Sequence, residues 1–332
     1  MSVASTRSEV RPAVLFEALS LWPGVLAAGV AWEATAALTL LWPDLEEWVH
    51  TGTLAVLQAV LGAAFIVAAV AGPYLGGAVA RLRPAAPWLI ALAGLAALWQ
   101  ALTAKLMWLP LPFFAPPQAL LEAYIDDWAR LIDCTVNSVG LLVTGYLVGA
   151  FTGFLVGVAL GWSRTAAYWG HPVLRLIGPM PATAWLPVAF FAFPSSWSAS
   201  VFLIALASGT PVAVLTWSGV SAVNSAYYDI ARTLGANQRF LVRKVAIPAA
   251  MPHVFVGLFM GLCSSFAVLV VAEMLGVKSG LGWYLQWAQG WAAYANMYAA
   301  LVVMALVCSG LVLLLFLARD RLLAWQKGLV RW

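Results

Sequence analysis

Apolar residues in this chain do not alternate with polar ones at the period of a strand or a surface helix. They run on in windows of about 20 residues with almost no charge, the length that crosses the hydrocarbon layer of a bilayer. Read in order, these windows predict spans near 21–42, 54–80, 87–107, 136–162, 177–193, 199–219, 253–275 and 298–318. The fifth is interrupted by Pro179, Pro181 and Pro187 and closed by Pro194, so it is expected as a broken helix, tolerated only where protein or a cavity surrounds it. A closed barrel would alternate apolar and polar residues at every second position, and these windows do not. The expected fold class is an all-α integral membrane protein, a polytopic helical bundle of about eight spans.

Composition agrees, with 64% of 332 residues hydrophobic and 9% charged, against about a quarter charged in a soluble domain. The net charge of +4 would point to nucleic acid in a soluble chain. In a membrane protein it reflects basic loops facing the cytoplasm, so no nucleic-acid partner is expected. With the N-terminus inside, Arg7, Arg11, Arg81, Arg83, Arg164, Arg175, Arg232, Arg239, Arg243, Lys244, Arg319, Arg321, Lys327 and Arg331 all fall on that side. Only Lys105, Arg130 and Lys278 fall outside. This asymmetry places both termini of a multi-pass membrane protein in the cytoplasm, and the resemblance described below implies the bacterial inner membrane. Arg7 and Arg11 precede an apolar run, as in a signal peptide, but the run is long, contains Glu33 and lacks a small-residue cleavage site, so it reads as an uncleaved first span. Cys134, Cys263 and Cys308 have no metal-ligand spacing, and no metal site is expected.

One polar stretch interrupts the second half: "YYDIARTLGANQRFLVRKVAIP", residues 227–248. Asn224 or Ser225 can cap a helix here, Asp229 is expected in or near its first turn, and Gly235 can close it in a left-handed conformation. Ile230 and Leu234, four residues apart with Ala231 on the same face, form a small apolar ridge. A second, basic helix through Arg239, Arg243 and Lys244 is expected to lead to Pro248 and Pro252 at the next span. The ridge fits a cytoplasmic protein partner, and it equally fits an interfacial helix lying on lipid headgroups.

The same residues carry a resemblance. "DIARTLGANQRFLVRKVAIP" resembles the EAA loop of binding-protein-dependent ABC importer permeases, with Asp229, Ile230 and Ala231 in the first three places, Gly235 as the glycine, and Val245, Ile247 and Pro248 at the end. "PMPATAWLPVAFFAF", "VVAEMLGVKSGLGWYL" and the terminal "RW" are similar to the nitrate, sulfonate and taurine branch, and the likeness runs from about residue 88 onward. Asp229 and Ile230 depart from the family's Glu and Ala, and the two spans before residue 85 have no counterpart in its six-span unit. The resemblance implies two appended helices in 1–85, a type I permease core in 86–332 and a coupling loop at 220–252. It also implies a permease dimer, an ABC ATPase subunit under each copy and an extracytoplasmic solute-binding protein. Asp229, Ile230, Ala231, Leu234, Gly235 and Pro248 would couple to the ATPase. ATP and Mg would be held there, since this chain has no GxxxxGK[ST] loop and is expected to bind no cofactor itself.

Other candidates are intramembrane. Gly145, Gly149, Gly153, Gly157 and Gly161 make a smooth stripe for close helix packing. Glu273 reads either as part of an outer gate or cavity or as a helix-packing hydrogen bond. Glu33 reads as functional or as paired with a neighbouring helix. Pro181, Trp185 and Pro187 either line the translocation path with Glu273 or belong to a kinked packing helix. Trp283, Trp287 and Trp291 fit an interfacial anchor or a stacking surface for a ringed substrate. No intramembrane Arg or Lys attracts an anion, and no catalytic constellation is present. The resemblance implies a small solute of the nitrate, sulfonate, taurine or bicarbonate class or, alternatively, a heterocyclic precursor, and an integral membrane enzyme or a lipid-binding scaffold are the competing classes.

Overall fold

The computed structural model describes residues 22–75 and 77–326. Arg7, Arg11, Lys327, Arg331 and the terminal "RW" lie outside the described residues. No strand occurs among the described residues, and the chain divides into two compact units at Asp126 and Asp127. Seven helices are long and apolar enough to cross a membrane, or eight if one bent pair counts as a span.

The first unit holds α1 (Pro23–Leu41), α2 (Thr51–Leu75), α3 (Leu82–Gln100) and α4 (Pro117–Asp126), with α3 continuing as a π-helical turn, Ala101–Lys105. The third span therefore clusters with the two before it, and the division expected at residue 85 falls inside this unit. Small residues bring the helices together: a Cβ added to Gly29 would lie 2.6 Å from the Ile66 side chain. Glu33 is half-buried against Gly62 and pairs with no side chain among the described residues.

Lys105, one of the three cations that the sequence places outside, is engaged within this unit. It is buried, and its Nζ lies 2.7 Å from Asp44 Oδ1 and donates to the carbonyls of Thr39 (2.8 Å) and Trp42. Those carbonyls end α1, where the helix dipole favours a cation. The Thr51 hydroxyl and the Gln118 amide donate to Asp44 Oδ2 at 2.8 and 3.2 Å. Asp44 thus joins the end of α1, the start of α2, the π turn and α4. A buried pair with further hydrogen bonds on both ions is the arrangement in which burial of charge is tolerable.

The second unit contains α5 (Trp128–Trp162), α6 (Arg164–Ile177), α7 (Leu186–Ala192), α8 (Ser196–Ser221), α9 (Ser225–Thr233), α10 (Gln238–Gly276), α11 (Leu281–Gly290) and α12 (Tyr294–Leu322). The glycine stripe is the seam between α5 and α8. Added Cβ atoms at Gly145, Gly149, Gly153, Gly157 and Gly161 would approach Ile204, Ser208, Gly209, Thr216 and Val220 at 2.1–2.7 Å. Residue numbers rise together along the seam, so α5 and α8 are parallel.

Parallel neighbours require the chain to return across the bundle between residues 163 and 195. The return is α6 followed by a turn, a 3-10 turn at Ala182–Trp185 and α7, with an 89° bend between the two halves. This corrects the fifth predicted span. Residues 177–193 contain only a seven-residue helix, about 10 Å long, and the other half of the crossing is α6, which begins at the Ser163 cap. The seventh span also differs. The expected basic helix and the span are one helix from Gln238 to Gly276. Pro248 lacks an N–H and would clash with the carbonyl four residues back; the π stretch Leu241–Ala246 absorbs this, with Ile247 N–H donating to Val242.

Candidate functional site

At the Ser221 end of α8 the chain turns into α9. The Asn224 side chain accepts from Ala226 N–H at 2.9 Å, which fixes the helix start. At the other end Gly235 has φ +84°, its N–H donates to Arg232 carbonyl at 2.9 Å, and Ala236 N–H donates to Ala231 carbonyl at 3.0 Å. This pair of bonds is the Schellman closure, which needs the left-handed residue that glycine supplies at least cost. Asp229 is not in the first turn, because the cap at Asn224 puts that turn at 225–228. It instead forms an exposed ion pair with Arg232 at 3.2 Å.

One face of α9 is anchored. Tyr228 meets the Trp162 ring edge-on at 5.7 Å and packs on Val220, Ala246 and Ala250, and burial raises its phenol pKa. The other face is bare: Tyr227 is 62%, Ile230 60% and Leu234 83% exposed, and Phe240 on the following helix is exposed as well. Ala231 and Pro248 are half-buried. The helix is therefore packed from behind while its ridge meets no partner among the described residues.

At the opposite end of α10, Glu273 is fully buried. Its Oε1 accepts from the Ser138 hydroxyl and its Oε2 from Gly282 N–H, both at 2.7 Å. Ser138 Oγ in turn accepts from Leu281 N–H at 2.7 Å. Gly280 at φ +135° lies so close that an added Cβ would sit 2.5 Å from the Glu273 carboxylate. Asn137 donates to Ser279, and Ser279 to Asp133, at 2.9 and 3.1 Å. Glu273 thus braces the loop between α10 and α11 against α5. Beyond it, Tyr284 and Asn296 both donate to Asp127 Oδ2, at 2.8 and 2.9 Å, and burial holds the Tyr284 phenol above its usual range. Trp287 lies under Arg130, 4.7 Å from ring centroid to guanidinium, and Trp291 is exposed. Ser138, Asp127 and Asn296 were not singled out from sequence, although the polar run Asp133, Asn137, Ser138 at the head of an apolar helix is a usable signal.

Glu273→Leu strands Ser138 and Gly282 without an acceptor, at a cost of about 3 kcal/mol for two buried donors left unsatisfied. Glu273→Gln keeps one good acceptor and is expected to lose about half as much. Thermal unfolding in mild detergent checks the order: wild type above Gln above Leu.

The proline-broken segment borders a cavity of about 390 Å³ whose lining includes Pro179, Pro181, Thr183, Thr210, Ser264 and Val268. Of the four expected path residues the cavity takes in Pro181. Trp185 packs into the core formed by α5, α7, α8 and α10, Pro187 is exposed on α7, and Glu273 is engaged as above.

Residues 137–327 match the family described as the inner membrane component of binding-protein-dependent transport systems. The chain belongs to this family. The permease is 28% identical over 267 residues, 75% of this chain and 91% of the relative, to the nitrate import permease protein NrtB of Synechococcus elongatus. It is 29% identical over 200 residues to the bicarbonate transport system permease protein CmpB of the same species (59% and 69% covered). It is 28% identical over 184 residues to a putative aliphatic sulfonates transport permease protein of Bacillus subtilis (55% and 67% covered). The resemblance to ABC importer permeases of the nitrate and sulfonate type is borne out, and the permease is a multi-pass transport component.

Proposed function

We propose that this permease moves a small solute of the nitrate, bicarbonate or sulfonate class, delivered by an extracytoplasmic binding protein, and is driven by a separate ABC ATPase that grips α9. The carrying observation is α9, packed from behind, with its bare ridge of Tyr227, Ile230 and Leu234. An apolar ridge ringed by charge is costly in water until a partner covers it. In this reading Ala231 and Gly235 permit close approach, Asp229 meets donors on the ATPase, and Pro248 sets the pitch of the helix that carries motion into α10. ATP and Mg belong to the partner. Two copies of the permease surround the path, residues 86–332 form the permease core, and both termini face the cytoplasm of a bacterial cell.

A cysteine placed at Leu234 in a permease otherwise free of cysteine is expected to crosslink to the co-expressed ATPase during turnover. Labelling of that cysteine by a lipid-phase reagent alone, with no protein adduct, would overturn the coupling role.

A further inference from the structure

The cavity beside the helix break holds a chemical asymmetry. Hydroxyls in membrane helices normally satisfy themselves on the carbonyl one turn back, and four around this cavity do so: Ser200 to Ser196, Ser208 to Ile204, Thr210 to Leu206 and Ser265 to Gly261, at 2.8–2.9 Å, whereas Thr216, further along α8 and outside the cavity, is buried without a partner among the described residues. Ser264, next to Ser265 on α10, and Thr183, in the 3-10 turn after Pro181, donate to nothing among the described residues, and both line the same cavity. They approach it from separate elements, with Thr210 and Pro211 of α8 forming another wall. No Asp, Glu, Lys or Arg lines it.

Two unused hydroxyl donors in a chamber without fixed charge suit a hydrogen-bond acceptor in transit. A buried cation would bind an anion tightly, whereas passage needs a site good enough to enter and weak enough to leave. The volume of about 390 Å³ corresponds to roughly a dozen waters at about 30 Å³ each, so a small solute keeps part of its hydration there. We propose that this chamber is a transit station for a small oxyanion, with Ser264 and Thr183 as the donors that select it. The proposal rests on the permease reading above and adds the residues that touch the solute.

The test uses the full complex of permease, ATPase and binding protein in proteoliposomes, with nitrate, bicarbonate and an alkylsulfonate as probes. Ser264→Ala combined with Thr183→Val is expected to lower uptake about tenfold, unequally among the three solutes, with the ATPase still bound. Ser264→Thr, which keeps a hydroxyl, is expected to restore most of the rate. Separately, Ser264→Cys, with Cys134, Cys263 and Cys308 replaced, is expected to react with a small charged thiol reagent from water and to be protected by the transported solute. Unchanged uptake and unchanged ratios in the double variant would overturn the station, as would reaction of that cysteine only with a membrane-permeant reagent. A complex that never captures the ATPase would instead sink the coupling reading.

Discussion

Leu234→Ala is expected to weaken capture of the ATPase about 30-fold, and Gly235→Val to abolish energised uptake while leaving the permease inserted in the membrane. Leu234 is the most exposed large side chain of the ridge, at 83%. A central apolar anchor of a docking surface contributes about 2 kcal/mol on truncation, and each 1.4 kcal/mol is about tenfold in affinity. Gly235 acts differently. A Cβ added there meets nothing within 4 Å, so the effect of valine is entirely in the backbone, where φ +84° disfavours a side chain by about 1–2 kcal/mol. That strain falls on the two bonds that close α9, from Gly235 to Arg232 and from Ala236 to Ala231. Loosening them re-aims Leu234 and the chain leading to α10. Uptake by inverted or sealed vesicles, with surface labelling to confirm insertion, reads the result. Normal uptake by Gly235→Val would show that the shape of this helix end does not matter to energy coupling.

The end chemistry of α9 is legible in sequence because it is local: an Asn cap, ten residues and a Gly are a few turns of one chain and need no neighbour to define them. At Asp229 the sequence left a choice, in or near the first turn, and the structure places it just beyond that turn. Two caps were open, and the dipole argument depends on which residue begins the helix; with Asn224 as cap, Asp229 lies too far along to feel the terminus and pairs with Arg232 instead. Long apolar spans are legible for a related reason, since length and hydropathy alone mark them.

What hydropathy cannot mark is a crossing made of unlike halves. The α6 half carries Arg164, His171 and Arg175 and reads as a surface loop, while the α7 half carries the prolines and reads as the whole span. Only the parallel seam between α5 and α8 shows that both are needed. The pairing of Lys105 escaped for the opposite reason. Its charge suggests a loop, yet Asp44, distant in sequence, joins it in burial, and such a pair exists only once the helices are assembled. Ser264 and Thr183 look like every other hydroxyl in the chain until their neighbours' back-bonds are seen.

The largest structural effect is expected at the seam. Gly153→Leu should leave no monodisperse, folded permease in mild detergent, whereas Gly140→Leu, on the same helix, should be indistinguishable from wild type. In lipid the hydrophobic effect does not press helices together, so close packing through small residues is what holds α5 to α8. A Cβ at Gly153 would lie 2.4 Å from the carbonyl oxygen of Gly209, and that contact is backbone, which no rotamer change can move. Relief requires separating the helices, and because the seam is continuous from Gly145 to Gly161 the separation forfeits its other contacts as well. Ordinary overpacking of a core costs about 1–3 kcal/mol; here the loss spreads over four further glycine contacts and exceeds that range. At Gly140 an added Cβ meets nothing within 4 Å, so the same side chain on the same helix tests position and not hydrophobicity. Size-exclusion chromatography and thermal unfolding of both variants decide the matter. A Gly153→Leu protein that elutes and melts like wild type would mean that the two helices are not held by this contact, and the parallel seam, with the crossing it requires between residues 163 and 195, would have to be redrawn.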